Sequence, residues 1–220
     1  MPIRLKESKP LNKQDNSPAD TYTDNCFRFC TDIHLKNLSN FAYLPTEREM
    51  EIITKFIIAT EQGRSIVATL AKEIAAEKFA SLVEPQQLED YIEKKFNDKN
   101  LIAEMNSMSN QWLVVYVGDT PAGYAYITSN GRKPKNQKET RMMRIADFGI
   151  LEQYNDKATR LSLLEKCIAI SKSYNGLWIH EYKENPLIAF FESEGFVMHN
   201  EVYQYEELPL SSVFLTRNNL

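Results

Sequence analysis

The sequence predicts an α/β (α+β) protein in which a mixed β-sheet carries helices on both faces. From Glu51 onward, short runs of β-branched and aromatic residues alternate with longer segments whose apolar residues recur at helical spacing. The resulting order is strand, helix, helix, strand, strand, strand, helix, strand, helix, strand. Such an alternation is typical of one sheet covered on both sides.

The composition is that of a globular protein. The 220 residues are 43% hydrophobic and 25% charged, which suits a single main domain. The formal net charge is -4 and Lys and Arg are scattered, so we expect no nucleic-acid partner. No signal peptide and no apolar run of about 18 residues is evident, which predicts a cytoplasmic protein without a membrane partner.

The first fifty residues differ from the rest. Residues 1–20 are polar and proline-bearing, so we predict a partly disordered N-terminal extension over 1–50 and a folded domain over 51–220. Cys26, Cys30 and His34 recur at four-residue spacing, as metal ligands on one helix face would. A structural zinc site needs four ligands and no fourth is evident, so we predict no metal there.

The first half of the domain opens with a strand and three helices. Residues 51–60 form a β-branched run, and the next segment places Ile66, Leu70, Ile74 and Phe79 near one helical face. Pro85 suits the first turn of a second helix, and a short third helix follows from Asp98.

The second half of the domain is richer in strands. Gly118 and Pro121 punctuate a hairpin, residues 130–140 read as a solvated loop, and residues 141–151 form a long strand. We then expect a helix from near Asn155, a strand over 176–182, a short helix ended by Gly195 and a terminal strand over 196–208.

Three phrases resemble the GNAT superfamily of acyl-CoA-dependent N-acyltransferases. They are FIIATEQGRSIVATLA, LEDYIEKKFNDKNLIAEMNSMSNQWLVVYVGDTPAGYAYI and LWIHEYKENPLIAFFESEGF. The middle phrase is similar to PaiA-like polyamine and small-amine acetyltransferases. The resemblance spans about residues 51–205.

The resemblance implies a fold and a reaction. The sheet should be mostly antiparallel, with one parallel pair, residues 147–151 and 177–182, that splays apart to admit the pantetheine arm of acetyl-CoA. Ile150 and Leu151 would offer main-chain groups to that arm. The expected reaction moves the acetyl group to a primary amine of a small molecule or peptide, and a homodimer is left open.

The turn before the helix near Asn155 departs from the family pattern. The family has Gln/Arg-x-x-Gly-x-Gly/Ala around the pyrophosphate, whereas Asn155, Ala158 and Arg160 stand here. Arg160 either obstructs the phosphate or donates to it, and the alternative interpretation of the turn is an ordinary helix N-cap at Asn155 or Asp156. The resemblance implies cofactor contacts by Asn155, Lys157, Ala158, Thr159 and Arg160.

The acid and base positions also depart from the pattern. Phe191 occupies the place of a family tyrosine that protonates the CoA thiolate, and the alternative match, Phe190, also lacks a hydroxyl. Asn185 matches a family asparagine that hydrogen-bonds near the cofactor arm. The candidate bases are three residues of the two central strands: Asp147, His180 and Glu181.

Two functions therefore remain open from the sequence. One is an active N-acetyltransferase that uses acetyl-CoA as co-substrate. The other is a GNAT-fold module with lost or weak CoA binding that serves as a ligand-binding or interaction domain, which the altered turn and the missing tyrosine favour.

Overall fold

The computed structural model describes residues 50–131, 141–205 and 208–219. The predicted N-terminal extension, Cys26, Cys30 and His34 lie outside the described residues, as does most of the predicted loop over 130–140. The helices are α1 (Glu61–Phe79), α2 (Pro85–Phe96), α3 (Asp98–Met105), α4 (Lys157–Ile170) and α5 (Leu187–Ser193). The strands are β1 (Ile52–Ile57), β2 (Asn110–Val117), β3 (Thr120–Thr128), β4 (Met142–Ile150), β5 (Gly176–Tyr182), β6 (Val197–Met198), β7 (Tyr203–Gln204) and β8 (Ser211–Asn218).

All eight strands belong to one sheet. Its order is β1-β2-β3-β4-β5-β8-β6, and β7 also pairs with β8. Among the described strands, β4 and β5 form the one parallel pair, and the other pairings are antiparallel. The structure thus confirms the predicted fold class, a mostly antiparallel mixed sheet with one parallel pair.

Each face of the sheet has its own apolar core. One core joins the sheet to α4 and α5 through residues such as Leu163, Cys167 and Phe191. The other joins it to α1, α2 and α3 through residues such as Ile74 and Tyr91. The predicted helices on both faces are therefore present.

Helix α1 lies unusually close to β4. Thr60 caps its first turn by accepting a hydrogen bond from Gly63 N at 3.0 Å. At Gly149 of β4, an added Cβ would stand 2.5 Å from Ile74 Cγ2, so only glycine permits this approach. The last turn of α1, which carries Lys78, is thereby held beside the second half of β4.

The predicted terminal strand over 196–208 is largely wrong. Among the described residues of this stretch, only the two-residue strands β6 and β7 form, and Val197 and Val202 are exposed. The long last strand is β8, which sequence reasoning missed. Ser212 and Thr216 of this strand are buried, and their hydroxyl groups hydrogen-bond to histidine rings. A search for runs of apolar residues treats both as polar and so does not identify the strand.

No helix in the described part of the chain is both long enough and apolar enough to cross a lipid bilayer.

Candidate functional site

Strands β4 and β5 pair only over their first halves. Their ladder runs from Met142 opposite Gly176 to Ile145 opposite Ile179 and stops there. A β-bulge at Ala146 follows on the β3 side, since Tyr126 pairs with Asp147 and Ile127 with Ile145. Beyond this point β4 stays paired with β3 and β5 stays paired with β8, which leaves a gap between β4 and β5.

The main-chain groups that face this gap can be assigned from the hydrogen-bond pattern. Leu151 N donates to Ala122 O of β3 at 2.9 Å. Main-chain groups alternate in direction along a strand, so those of Asp147 and Gly149 also face β3, whereas those of Phe148 and Ile150 face the gap. Leu151 O accepts from Tyr154 N at 2.9 Å. Both main-chain groups of Leu151 are thus bonded internally, and Phe148 replaces it beside Ile150 as a candidate for the cofactor arm.

Asp147 lies at the start of the gap in a buried charge cluster. Tyr124 Oη donates to Asp147 Oδ2 at 2.8 Å, and Lys95 Nζ lies 3.1 Å from the same oxygen. Lys78 Nζ lies 3.9 Å from Oδ1. Burial alone raises the pKa of Asp147, but the two ammonium charges and the Tyr124 hydrogen bond outweigh it, so the pKa is below its ordinary value. Asp147 is therefore a poorly basic carboxylate.

Lys78 reaches the gap from α1. Its Nζ donates to the Phe148 carbonyl oxygen at 2.7 Å, and its side chain is 13% exposed. Because that carbonyl faces β5, the ammonium group lies between the two diverging strands. No sequence motif marked Lys78, since its contacts depend on how α1 packs on the sheet.

Glu181 and Asn185 lie on the β5 side of the gap. Glu181 is 2% exposed, and burial raises its pKa, although the Lys78 charge and the Asn185 amide oppose the shift. Asn185 is 4% exposed; its Oδ1 accepts from Leu187 N at 2.8 Å, whereas its Nδ2 makes no hydrogen bond of standard geometry. A buried amide donor without such a bond is a group that a ligand can satisfy.

The turn before α4 is capped by its own aspartate. Asp156 accepts hydrogen bonds from Thr159 N at 2.8 Å and from Thr159 Oγ1 at 3.2 Å, which makes it the N-cap. The N–H groups of Lys157 and Ala158 belong to the first turn and have no partner within the helix. These two N–H groups can bind an anion, which would lie beside the carboxylate of Asp156.

Arg160 is held by the N-cap carbonyl and by an aromatic ring. Its Nε donates to Asp156 O at 3.2 Å, and its guanidinium carbon lies 5.2 Å from the centre of the Phe190 ring. The side chain therefore covers an aromatic ring in a cation–π contact. Asn155 precedes the cap, and its Oδ1 is buried without a hydrogen bond.

Phe191 is a core residue. It is fully buried and packs edge-on against Phe148 and Phe196, with ring centres 5.3 and 5.5 Å apart. A phenyl ring offers no proton and its surroundings are apolar, so the position of the family tyrosine carries no acid here.

His180 packs against β8. Its Nε2 shares a hydrogen bond with Ser212 Oγ at 2.7 Å, and its ring stacks on Phe214 at 4.4 Å between centres. Tyr205 lies 5.8 Å away on the same side. These contacts favour a packing role, whereas Glu181, its neighbour, lies in the charge cluster of the gap.

A cavity of about 610 Å³ opens between α2, α3 and the β2–β3 hairpin. Sequence reasoning missed it because four separate elements build it. Trp112 Nε1 is buried without a hydrogen bond, and Glu104 accepts from Tyr126 Oη at 2.6 Å. Lys95 joins this cavity to Asp147. The lining residues are Tyr91, Lys94, Lys95, Phe96, Asn100, Leu101, Glu104, Trp112 and Tyr126.

The described residues hold no cluster of three or more His, Cys, Asp or Glu side chains arranged to bind a metal ion.

Solved structures of GNAT acetyltransferases share this architecture. The PaiA N-acetyltransferase from Thermoplasma acidophilum, in complex with coenzyme A, matches with a TM-score of 0.62 at 14% identity, over 77% of this chain and 100% of that chain. A GNAT-family acetyltransferase from Streptococcus pneumoniae matches with a TM-score of 0.53 at 15% identity, over 76% and 99%. The ribosomal-protein-S18-alanine N-acetyltransferase from Escherichia coli matches at 0.50 and 13%, over 76% and 94%.

No protein-family sequence model matches the chain. The likeness is therefore one of fold, at sequence identities of 13–15%.

Proposed function

From the GNAT fold of this chain, we propose that the protein is an N-acetyltransferase that moves the acetyl group of acetyl-CoA to a primary amine of a small molecule or peptide. The observation that carries the proposal is the gap between β4 and β5, into which Phe148 and Ile150 direct main-chain groups that no neighbouring strand pairs. An amide-bearing arm can pair with such groups as an added strand would.

The residues around the gap fit acetyl-CoA. Ile150 and Phe148 would bind the pantetheine arm, and the amide nitrogen of Asn185 would donate to one of its carbonyls. The pyrophosphate would lie at the N–H groups of Lys157 and Ala158, where the helix dipole favours an anion. Acetyl-CoA supplies an activated acyl group as a thioester.

The charge cluster suits amine chemistry. Glu181 is the better base, because its raised pKa makes its carboxylate more basic than that of Asp147. Asp147, held by Tyr124, Lys78 and Lys95, would position these groups and bind a substrate ammonium. Without a tyrosine at position 191, the departing thiolate would take its proton from water.

The acceptor would enter through the cavity beside α2 and α3. Its wall contacts Asp147 through Lys95, so a ligand there approaches the gap from the side of α1 and α2. The Glu104 carboxylate at the cavity suits an amine, and catalysis would rest mainly on positioning.

A combined binding and turnover experiment tests this proposal. Acetyl-CoA is titrated into the protein by calorimetry, and thiol release is then followed with a panel of polyamines, amino acids, aromatic amines and peptides. Saturable binding with amine-dependent thiol release supports the enzyme. Absence of binding at millimolar acetyl-CoA contradicts it.

The second candidate is a GNAT-fold binding module without acetyl-CoA turnover. Two observations favour it: the Asp156 carboxylate already caps α4, and Lys78 already occupies the Phe148 carbonyl. A protein that binds small amines by calorimetry but neither binds nor cleaves acetyl-CoA would be this module.

A further inference from the structure

Lys78 presents a primary amine inside the gap itself. Its Nζ lies 2.7 Å from the Phe148 carbonyl oxygen, which is one of the main-chain groups assigned above to the cofactor arm. The same Nζ lies 3.9 Å from Asp147 Oδ1, and its charge also acts on the buried Glu181. The ammonium group is thus paired with one carboxylate and lies in the field of a second.

Lys95 provides a comparison within the same cluster. It also pairs with Asp147, at 3.1 Å from Oδ2, but it approaches from α2. Its Nζ bonds the Tyr91 hydroxyl at 2.8 Å and lies 5.2 and 5.4 Å from the centres of the Tyr91 and Phe96 rings. Of the two lysines on Asp147, Lys78 is therefore the one that contacts the gap-facing main chain of β4.

We infer that Lys78 is an internal acyl acceptor, a site that becomes acetylated by the acetyl-CoA bound between β4 and β5. This inference rests on the proposed function, since it requires an acyl thioester in the gap. It adds a modification site on the protein itself to the transfer toward an external amine.

The reaction balances without a further reagent. The Lys78 ammonium first gives one proton, by way of an intervening water, to the Glu181 carboxylate, which leaves a neutral amine. The nitrogen lone pair then attacks the thioester carbonyl carbon, a C–N bond forms and the C–S bond breaks. The thiolate leaves with the bonding electrons and takes up the proton that the amide nitrogen loses. The products are acetyl-Lys78 and free CoA, and the proton on Glu181 returns to solvent.

Acetylation would change the gap in two ways. The Lys78 side chain loses its positive charge and with it the ion pair to Asp147, whereas the ion pair between Asp147 and Lys95 stays. The added acetyl group also occupies space beside Phe148, where the cofactor arm would lie. The modification is therefore expected to stop after one turnover and to weaken later binding of acetyl-CoA.

Mass spectrometry tests this inference on the full chain. The protein is incubated with acetyl-CoA near neutral pH without an amine substrate, and its intact mass and peptides are followed over time. The expected result is a gain of one acetyl group per chain, located on Lys78, with Lys95 unmodified. Lys78→Arg should abolish the gain, whereas Lys72→Arg, at an exposed position on the same helix, should leave it intact.

A parallel calorimetric titration separates the two ways in which the inference could fail. If acetyl-CoA binds but Lys78 stays unmodified, the inference is overturned and the proposed function stands. If acetyl groups appear on Lys72, Lys95 and Lys78 at similar rates, the chemistry is non-selective and the inference is also overturned. If acetyl-CoA does not bind, both proposals are overturned.

Discussion

The hydroxyl of Tyr124 on β3 donates to the carboxylate of Asp147 on β4 at 2.8 Å, in the interior of the protein. The pair anchors a cluster whose other members, Lys78 and Lys95, come from α1 and α2. The sheet and two helices of one face therefore meet at one carboxylate that is 8% exposed. Its removal should affect stability as well as chemistry.

Replacing Asp147 with Asn should destabilise the protein strongly. The change leaves two largely buried ammonium groups without their carboxylate, which costs about 3–5 kcal/mol of unfolding free energy. Tyr124→Phe removes only one hydrogen bond and should cost about 1–2 kcal/mol. Urea denaturation measures both, and equal losses for the two variants would contradict the assigned ion pairs.

Replacing Glu181 with Gln should stabilise the protein at higher pH. The folded-state pKa of Glu181 is raised, so its contribution is fully favourable below the unfolded pKa of about 4.3 and is lost as pH rises through the folded pKa. Each unit of that shift corresponds to about 1.4 kcal/mol once the buried group is ionised. Glutamine cannot ionise and avoids this loss.

The check on Glu181 is a pair of denaturation curves. The free energy of unfolding of Glu181→Gln should match that of the wild type near pH 4 and exceed it at pH 8. The charged groups that act on this carboxyl, Lys78 and Asp147, are unchanged in the variant. A difference that is the same at both pH values would show that the effect is not ionisation.

Changing Asp156 should separate helix capping from cofactor binding. Asp156→Ser keeps a side-chain acceptor for Thr159 N but removes the negative charge, so acetyl-CoA should bind more tightly at nearly unchanged stability. Asp156→Ala also removes the charge but should cost about 1 kcal/mol of stability. Calorimetry and thermal unfolding give the two quantities, and unchanged affinity in both variants would locate the pyrophosphate elsewhere.

Restoring a tyrosine at position 191 should not restore an acid. The side chain of Phe191 is fully buried against Phe148 and Phe196, so an added hydroxyl would lie among apolar groups and cost about 1–3 kcal/mol. Phe191→Tyr should therefore lower the melting temperature without raising the rate of thiol release. A faster rate at retained stability would show that position 191 does face the reacting thioester.

The central strands could be predicted from sequence because their signals are local. Residues 141–151 and 176–182 are short segments rich in apolar and aromatic residues, and the structure places β4 and β5 there. Helix α4 begins two residues later than expected, at Lys157, because Asp156 and not Asn155 is its N-cap.

The charge cluster and the last strand could not be predicted in the same way. Lys78 and Lys95 gain their roles only when α1 and α2 pack beside Asp147, and no local pattern encodes that packing. Strand β8 was missed because its buried hydroxyls are satisfied by His180 and His199, which are distant in sequence. The cavity depends likewise on four elements.

Residue-resolved amide hydrogen exchange tests the role of the gap most directly. In the free protein, the amides of Asp147 and Gly149, which face β3, should exchange slowly, and those of Phe148 and Ile150 should exchange fast. Saturating acetyl-CoA should slow exchange at Phe148 and Ile150 and leave Asp147 and Gly149 unchanged. If acetyl-CoA binds while the amides of Phe148 and Ile150 keep their fast exchange, the arm does not lie between β4 and β5, and the account given for this site is wrong.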